Sequence, residues 1–124
     1  MPDLNALIER WQAGDERAAE SIYNHCRGSM IFLASGNGRL YAVDLQTGQE
    51  KWVFKVKDRV WSSVAVNAGL VYFGSNDQYL YAVDSQTGQE RWKFSTLGNV
   101  FFAPTVANGV VYFGSDDGYL YALR

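Results

Sequence analysis

The feature that most constrains the fold of this chain is an internal repeat of 40 residues. When residues 31–70 are laid over residues 71–110, 16 of the 40 positions are identical. Residues 111–124 begin a third copy, which matches residues 71–84 at 10 of 14 positions. A repeat of this length indicates that one supersecondary unit is built several times and that neighbouring units pack on each other.

Each repeat holds four short strand signals that are separated by turns. The predicted strands of the second copy are 71–74, 79–84, 90–95 and 101–106. Asn108-Gly109 is a strong hairpin signal, because both residue types tolerate positive φ. Four antiparallel strands in about 40 residues is the size of one β-propeller blade. Aromatic residues make up 15% of the chain, which also favours sheet structure.

The sequence therefore predicts a mainly β protein, an incomplete β-propeller of about two and a half four-stranded antiparallel blades. The predicted units are 31–70, 71–110 and, in part, 111–124. No copy of the strand at 101–106 precedes residue 31, and no copy of the strand at 90–95 follows residue 123. We therefore expect three, four and three strands in the three blade positions.

One segment is repeated almost unchanged in the first two copies. Residues 42–52 read AVDLQTGQEKW, and residues 82–92 read AVDSQTGQERW. Both segments fit the pattern A-x-D-x-x-T-G-x-x-x-W. This pattern is the tryptophan-docking motif of the PQQ-like repeats in quinoprotein-type β-propellers, and residues 31–124 resemble those repeats. The motif residues are Ala42, Asp44, Thr47, Gly48, Trp52, Ala82, Asp84, Thr87, Gly88 and Trp92.

The motif residues are interpreted as structural. The Asp carboxylate can accept backbone N–H groups of the turn that follows it, and the Gly can take a positive φ. The Trp lies on the next strand, where it can pack on the neighbouring blade and needs an acceptor for its indole N–H. We therefore predict that Trp52 and Trp92 are buried at equivalent positions of successive blades.

The resemblance raises the question of a quinone cofactor. In the quinoprotein dehydrogenases it implies a calcium site of carboxylate and amide ligands, a catalytic Asp, a Trp floor and often a vicinal disulfide. This chain has one cysteine, Cys26, and no acidic cluster outside the turns. The acidic turns at 76–77 and 116–118 lack the further spaced ligands of a calcium loop. We predict no enzyme activity, no catalytic residue, no cofactor and no metal site.

The first 28 residues differ in composition from the repeats, and residues 29–30 are predicted to form a short joint. Apolar residues at helical spacing predict a helical hairpin over residues 1–28. Its predicted interface consists of Leu4, Leu7, Ile8, Trp11, Ile22 and Tyr23. Residues 7–23, with the turn AGD at 13–15, resemble the start of region 2 of extracytoplasmic-function sigma factors. That resemblance implies docking on RNA polymerase or another protein partner.

Composition excludes several classes of partner. The net charge of −2 argues against a general nucleic-acid surface, and no apolar run reaches the length of a membrane span. Acidic residues within the first 30 positions argue against a secretory signal peptide. We expect a cytoplasmic protein that contacts neither nucleic acid nor membrane.

The leading functional hypothesis is a non-enzymatic interaction or assembly module that forms a homo-oligomer. Closed propellers need about four to eight blades, so several subunits would jointly complete one. The first alternative is a protein of transcription or signalling whose sigma-like helices bind RNA polymerase or another partner. A fragment of a quinone-dependent dehydrogenase is a second alternative. The third is an envelope scaffold like the propellers of outer-membrane assembly, which the missing signal peptide disfavours.

Overall fold

The structure is a computed structural model that describes residues 19–25, 28–60, 64–100 and 103–124. Within these ranges the chain forms three antiparallel sheets and no helix, and hence no helix that could span a membrane. We call the sheets blades 1 to 3. Blade 1 contains β1 (Ala19–His25), β2 (Gly28–Ser35), β3 (Arg39–Asp44) and β4 (Glu50–Lys55). Blade 2 contains β5 (Ala65–Asn67), β6 (Leu70–Gly74), β7 (Tyr79–Asp84) and β8 (Glu90–Ser95). Blade 3 contains β9 (Thr105–Ala107), β10 (Val110–Gly114) and β11 (Leu120–Leu123).

The repeated sequence produces a repeated strand register. Ala42 pairs with Trp52 in blade 1, and Ala82 pairs with Trp92 in blade 2. In both blades the register shifts directly after the alanine, which is the signature of a β-bulge. The short hairpins before β6 and β10 turn through two residues of positive φ, as in Asn108 (φ 52°) and Gly109 (φ 77°). The predicted hairpin at Asn108-Gly109 is thus present.

The N-terminal part of blade 1 corrects the sequence prediction. A helix was expected to include Ile22 and Tyr23, but these residues lie in β1, which pairs with β2 from Ala19↔Ala34 to His25↔Gly28. The predicted joint at residues 29–30 is also wrong, because β2 begins at Gly28. The reason is that an isolated helix of this length is marginal, whereas pairing with β2 satisfies the backbone groups of both strands.

Because β1 completes blade 1, the sheets contain four, four and three strands instead of the expected three, four and three. The strand predicted at 101–106 is observed as Thr105–Ala107, and it pairs with β10 as the first strand of blade 3. The other stripe of the predicted hairpin, Leu4, Leu7, Ile8 and Trp11, lies outside the described residues.

Successive side chains along each strand point to opposite faces of the sheet. The apolar side chains are therefore divided between two cores, each of which lies between neighbouring blades. Between blades 1 and 2, Phe32 and Leu40 pack with Phe73 and Val83, and all four are fully buried. Between blades 2 and 3, Leu80 packs with buried residues of β10, including Val111 and Phe113. Each sheet therefore gains stability from its neighbour, as is typical of repeat proteins.

Proline substitutions in β1 test the strand assignment. Because β1 is an edge strand, its N–H groups point alternately toward β2 and away from it. Of the variants Ser21→Pro and Ile22→Pro, we expect one to lower the free energy of unfolding clearly more than the other, measured by urea denaturation. Equal losses of about 3 kcal/mol or more in both variants would instead indicate a helix.

Candidate functional site: the tryptophan docks between blades

The turn that follows β3 and the turn that follows β7 have the same hydrogen bonds. Asp84 Oδ1 accepts the backbone N–H groups of Gln86 at 2.8 Å and Thr87 at 3.1 Å. Asp44 does the same for the two equivalent residues of blade 1, at 2.7 and 3.2 Å. Gly88 closes the turn with φ +76° and donates its N–H to the Asp84 carbonyl at 2.9 Å.

These backbone N–H groups stabilise the charged form of the Asp84 carboxylate. They hold the pKa of Asp84 below its usual value, with the Gln86 N–H making the largest contribution. Arg91 lies 3.3 Å from Asp84 Oδ2, but its side chain is largely exposed, and such surface ion pairs add little. The Asp of the motif is therefore a turn-forming residue, because its Oδ1 atom accepts two backbone N–H groups of its own turn.

Trp52 is docked on this turn of the next blade. Its indole Nε1–H donates to the Ser85 carbonyl at 3.0 Å, and the side chain is 8% exposed. The ring lies directly over Gly88, where a Cβ atom would come within 2.6 Å of Trp52 Cγ. Glycine is required at this position both by the positive φ and by the contact with the ring. The Trp and the Thr-Gly turn of the motif thus form one contact between two blades.

Trp92 is less buried than Trp52, and the prediction that both tryptophans are buried is wrong for Trp92. Its side chain is half-buried and packs on Tyr72 with ring centroids 5.8 Å apart. Within the described residues its indole N–H has no acceptor. An open cleft of about 250 Å³ lies beside it, lined by Trp92, Leu123 and Arg124.

A second contact between blades was missed by the sequence reasoning. The loop after β6 contacts the segment that connects β4 of blade 1 to β5 of blade 2, where the Asn76 N–H donates to the Arg59 carbonyl at 2.9 Å and Ser75 Oγ donates to the same carbonyl at 3.0 Å. The loop after β10 repeats this contact, with the Asp116 N–H donating to the Asn99 carbonyl at 2.9 Å. The signal in the sequence is the repeated Gly-Ser that ends β6 and β10.

An aspartate and a tyrosine four residues later stabilise each of these loops. Tyr81 donates its hydroxyl hydrogen to Asp77, and Tyr121 donates to Asp117 Oδ2 at 2.5 Å. Burial raises the pKa of Tyr81, and the hydrogen bond to Asp77 adds to this effect. The bond from Tyr121 is the main reason why the pKa of Asp117 is lowered. The acidic turns at 76–77 and 116–118 are therefore engaged in loop structure.

Among the described residues no three His, Cys, Asp or Glu side chains come together in a way that could hold a metal ion. Large apolar side chains are instead exposed on one face of blade 3. Leu120 is 77% exposed and Tyr112 is 40% exposed, whereas their counterparts in blade 2, Leu80 and Tyr72, are buried against blade 3. We call the side chains of Tyr112, Leu120 and Ala122 the open face of blade 3.

Antiparallel blades that pack in series, with a tryptophan dock between two of them, define a β-propeller repeat protein of the PQQ-like class. Residues 36–124 match the family described as outer membrane protein assembly factor BamB, and the chain belongs to this family. A search of curated proteins finds no match.

Three solved structures show the same fold. BamB from Moraxella catarrhalis has a TM-score of 0.73 and 21% identity, over 84% of this chain and 33% of that BamB. The computationally designed protein Ika4 has a TM-score of 0.70 and 18% identity, over 83% of this chain and 63% of Ika4. The designed protein Ika8 has a TM-score of 0.69 and 18% identity, over 83% of this chain and 32% of Ika8. The chain thus spans about a third of the length of the BamB it matches.

The two tryptophans are expected to differ in their contribution to stability. Trp52→Ala should lower the free energy of unfolding by about 3–5 kcal/mol, because it removes a large buried side chain. Trp92→Ala should cost less than half as much, because the ring is half-buried and lacks an acceptor. Urea denaturation of the two variants measures both values, and equal losses would contradict the difference between the docks.

The turn aspartate predicts a dependence of stability on pH. The pKa of Asp84 is lower in the folded chain than the ordinary value of about 3.9, so its contribution is fully present above that pH. It is lost as the pH falls below about 4 and through the folded-state pKa. The wild-type chain should therefore lose stability between pH 5 and about pH 2 more steeply than Asp84→Asn, as measured by urea denaturation. Parallel curves would show that the turn does not stabilise the carboxylate.

Proposed function

We propose that this chain is a non-enzymatic protein-interaction module whose copies associate through the open face of blade 3. The observation that carries the proposal is the exposure of Leu120 and Tyr112 on a sheet face. A soluble monomer rarely exposes large apolar side chains together, and such patches mark binding surfaces. The description of the matched family as an assembly factor supports a protein-binding role.

The partner is inferred from the repeat itself. Blade 2 carries the same three side chains on the equivalent face, namely Tyr72, Leu80 and Ala82, and packs that face against Val111 and Phe113 of blade 3. A further blade surface of this kind is therefore the natural cover for the open face. A second copy of the chain offers its own open face as such a cover, and self-association would bury the leucine and the tyrosine of both copies.

Completion of a propeller by several copies is the form of association that the blade number suggests. In a ring, the open face of blade 3 would meet the outer face of blade 1, which carries Ile31, Leu33, Tyr41 and Val43. These four side chains are buried in the single chain. Ring closure would therefore have to uncover this face of blade 1, whereas association through blade 3 alone would not.

Two other expectations accompany the proposal. Docking of the sigma-like segment, residues 1–28, on RNA polymerase stays a prediction, and a polymerase pull-down with the full chain tests it. The cytoplasmic location is likewise a prediction, which cell fractionation tests. We propose no catalytic role, because the acidic side chains described above are used in turns and loops; assays for quinone-dependent oxidation test this part.

The test of self-association is light scattering during size-exclusion chromatography at micromolar concentration. We expect a mass that is an integer multiple, above one, of 13.9 kDa. Leu120→Lys should shift the mass toward the monomer, because it places a charge in the centre of the open face. Leu97→Lys is the matched control, since Leu97 is also exposed but lies on a loop. A folded wild-type monomer would overturn the proposal.

A further inference from the structure

The outer face of blade 1 is buried, although blades 2 and 3 do not lie against it. Its cluster consists of four buried apolar side chains on β2 and β3, each 8% exposed or less, namely Ile31, Leu33, Tyr41 and Val43. Blade 2 packs on the opposite face of this sheet, and blade 3 packs on blade 2. Another part of the chain must therefore cover the outer face of blade 1.

The degree of burial excludes a face that is open to solvent. Side chains on neighbouring strands flank each other within a sheet, but they do not cover each other from above. On blade 3, Tyr112 of the central strand β10 is 40% exposed. On blade 1, Ile31 of β2 and Val43 of β3 are fully buried. The outer face of blade 1 is thus covered within the single chain.

Residues 1–18 have the length and the apolar pattern that such a cover needs. The other parts of the chain outside the described ranges contain two or three residues each, which is too short. In a helix, 18 residues span about 27 Å, which is close to the length of the eight-residue strand β2. Residue 18 directly precedes β1, which lies beside β2 in blade 1. The apolar stripe of this segment consists of Leu4, Leu7, Ile8 and Trp11.

The rim of the outer face and the segment carry opposite charges. Arg39 and Lys55 are paired directly across β3 and β4, so their side chains leave the sheet on the same face. This is the outer face, because strand side chains alternate and Arg39 lies two residues before Tyr41. Two like charges in this position repel each other. Residues 1–18 contain four acidic and two basic side chains, so their net charge complements the rim.

We propose that residues 1–18 cover the outer face of blade 1, with the apolar stripe on the buried cluster and the acidic side chains toward Arg39 and Lys55. Apolar burial would supply most of the stability of this contact, and the charges would orient the segment. The contact lies within one chain and does not depend on the proposed function. A partner that binds the apolar stripe would have to displace the segment, and it would thereby uncover a second apolar face for binding.

The test measures how accessible the Ile31 methyl group is to a soluble paramagnetic probe in the full chain. The chain contains three isoleucines, so selective ¹³C labelling of their methyl groups gives three signals, from Ile8, Ile22 and Ile31. In the wild type we expect the Ile31 signal to be protected and to show NOEs to the side chains of the apolar stripe. An accessible Ile31 methyl, or the absence of these NOEs, would overturn the proposal.

Leu7→Asp is the variant that should release the segment, and Ala6→Asp is its matched control. Both add one negative charge, but residue 6 lies outside the apolar stripe. Leu7→Asp should raise the probe-induced relaxation rate of the Ile31 methyl several-fold, whereas Ala6→Asp should leave it unchanged. The Trp52 indole N–H signal, which depends on the bond to Ser85, shows whether the blades remain folded. Equal rates in both variants would contradict a cover by the stripe.

A second pair of variants tests the charges of the rim. Lys55→Glu replaces a basic rim residue, and Lys57→Glu makes the same change on the exposed loop after β4. Lys55→Glu should make the Ile31 methyl more accessible at low salt, and the difference from Lys57→Glu should shrink at high salt. The same accessibility in both variants would overturn the orientation by charge.

The variant Leu120→Lys separates this inference from the proposed function. Protection of Ile31 that persists in monomeric Leu120→Lys would support a cover from the same chain, whether or not wild-type copies associate. Protection that is lost in this variant, or on dilution of the wild type, would show that a second copy covers the face. That result would overturn the inference and leave self-association intact.

Discussion

The contact on which the rest of this structure depends is the dock of a tryptophan on the turn of the next blade. It joins three requirements of the motif in one place. The carbonyl of Ser85 satisfies the indole N–H, Gly88 leaves room for the ring, and Asp84 fixes the turn through backbone N–H groups. A buried indole without an acceptor, or a side chain in place of the glycine, would each cost stability. The repeated motif therefore encodes a contact between blades as well as the shape of a single sheet.

The contact between loops acts at a different part of the same junction. The Arg59 carbonyl accepts hydrogen bonds from the loop after β6, and the Asn99 carbonyl accepts one from the loop after β10. The apolar cores between blades are non-directional, whereas these hydrogen bonds and the tryptophan dock have fixed geometry. Together they fix the position of one blade relative to the next. Burial of apolar surface alone would define this position less well.

The proposed function arises from a place where this pattern is not closed. At the junction of blades 1 and 2 the tryptophan has its acceptor, and the apolar face of blade 1 is covered. On blade 3, Leu120 and Tyr112 are exposed, and Trp92 borders a cleft.

The sequence by itself determined the repeat, the hairpin at Asn108-Gly109, and the chemistry of the turns at Asp44 and Asp84. These features depend on residues close together in the chain, or on a period that can be counted. Only the tertiary structure decided that residues 19–25 form a strand, because β2 offers backbone partners that local helical periodicity cannot reveal. It also decided that Trp52 is docked while Trp92 is half-buried. The two copies of the motif do not predict this difference in burial, because the burial of each tryptophan depends on the turn that the neighbouring blade provides.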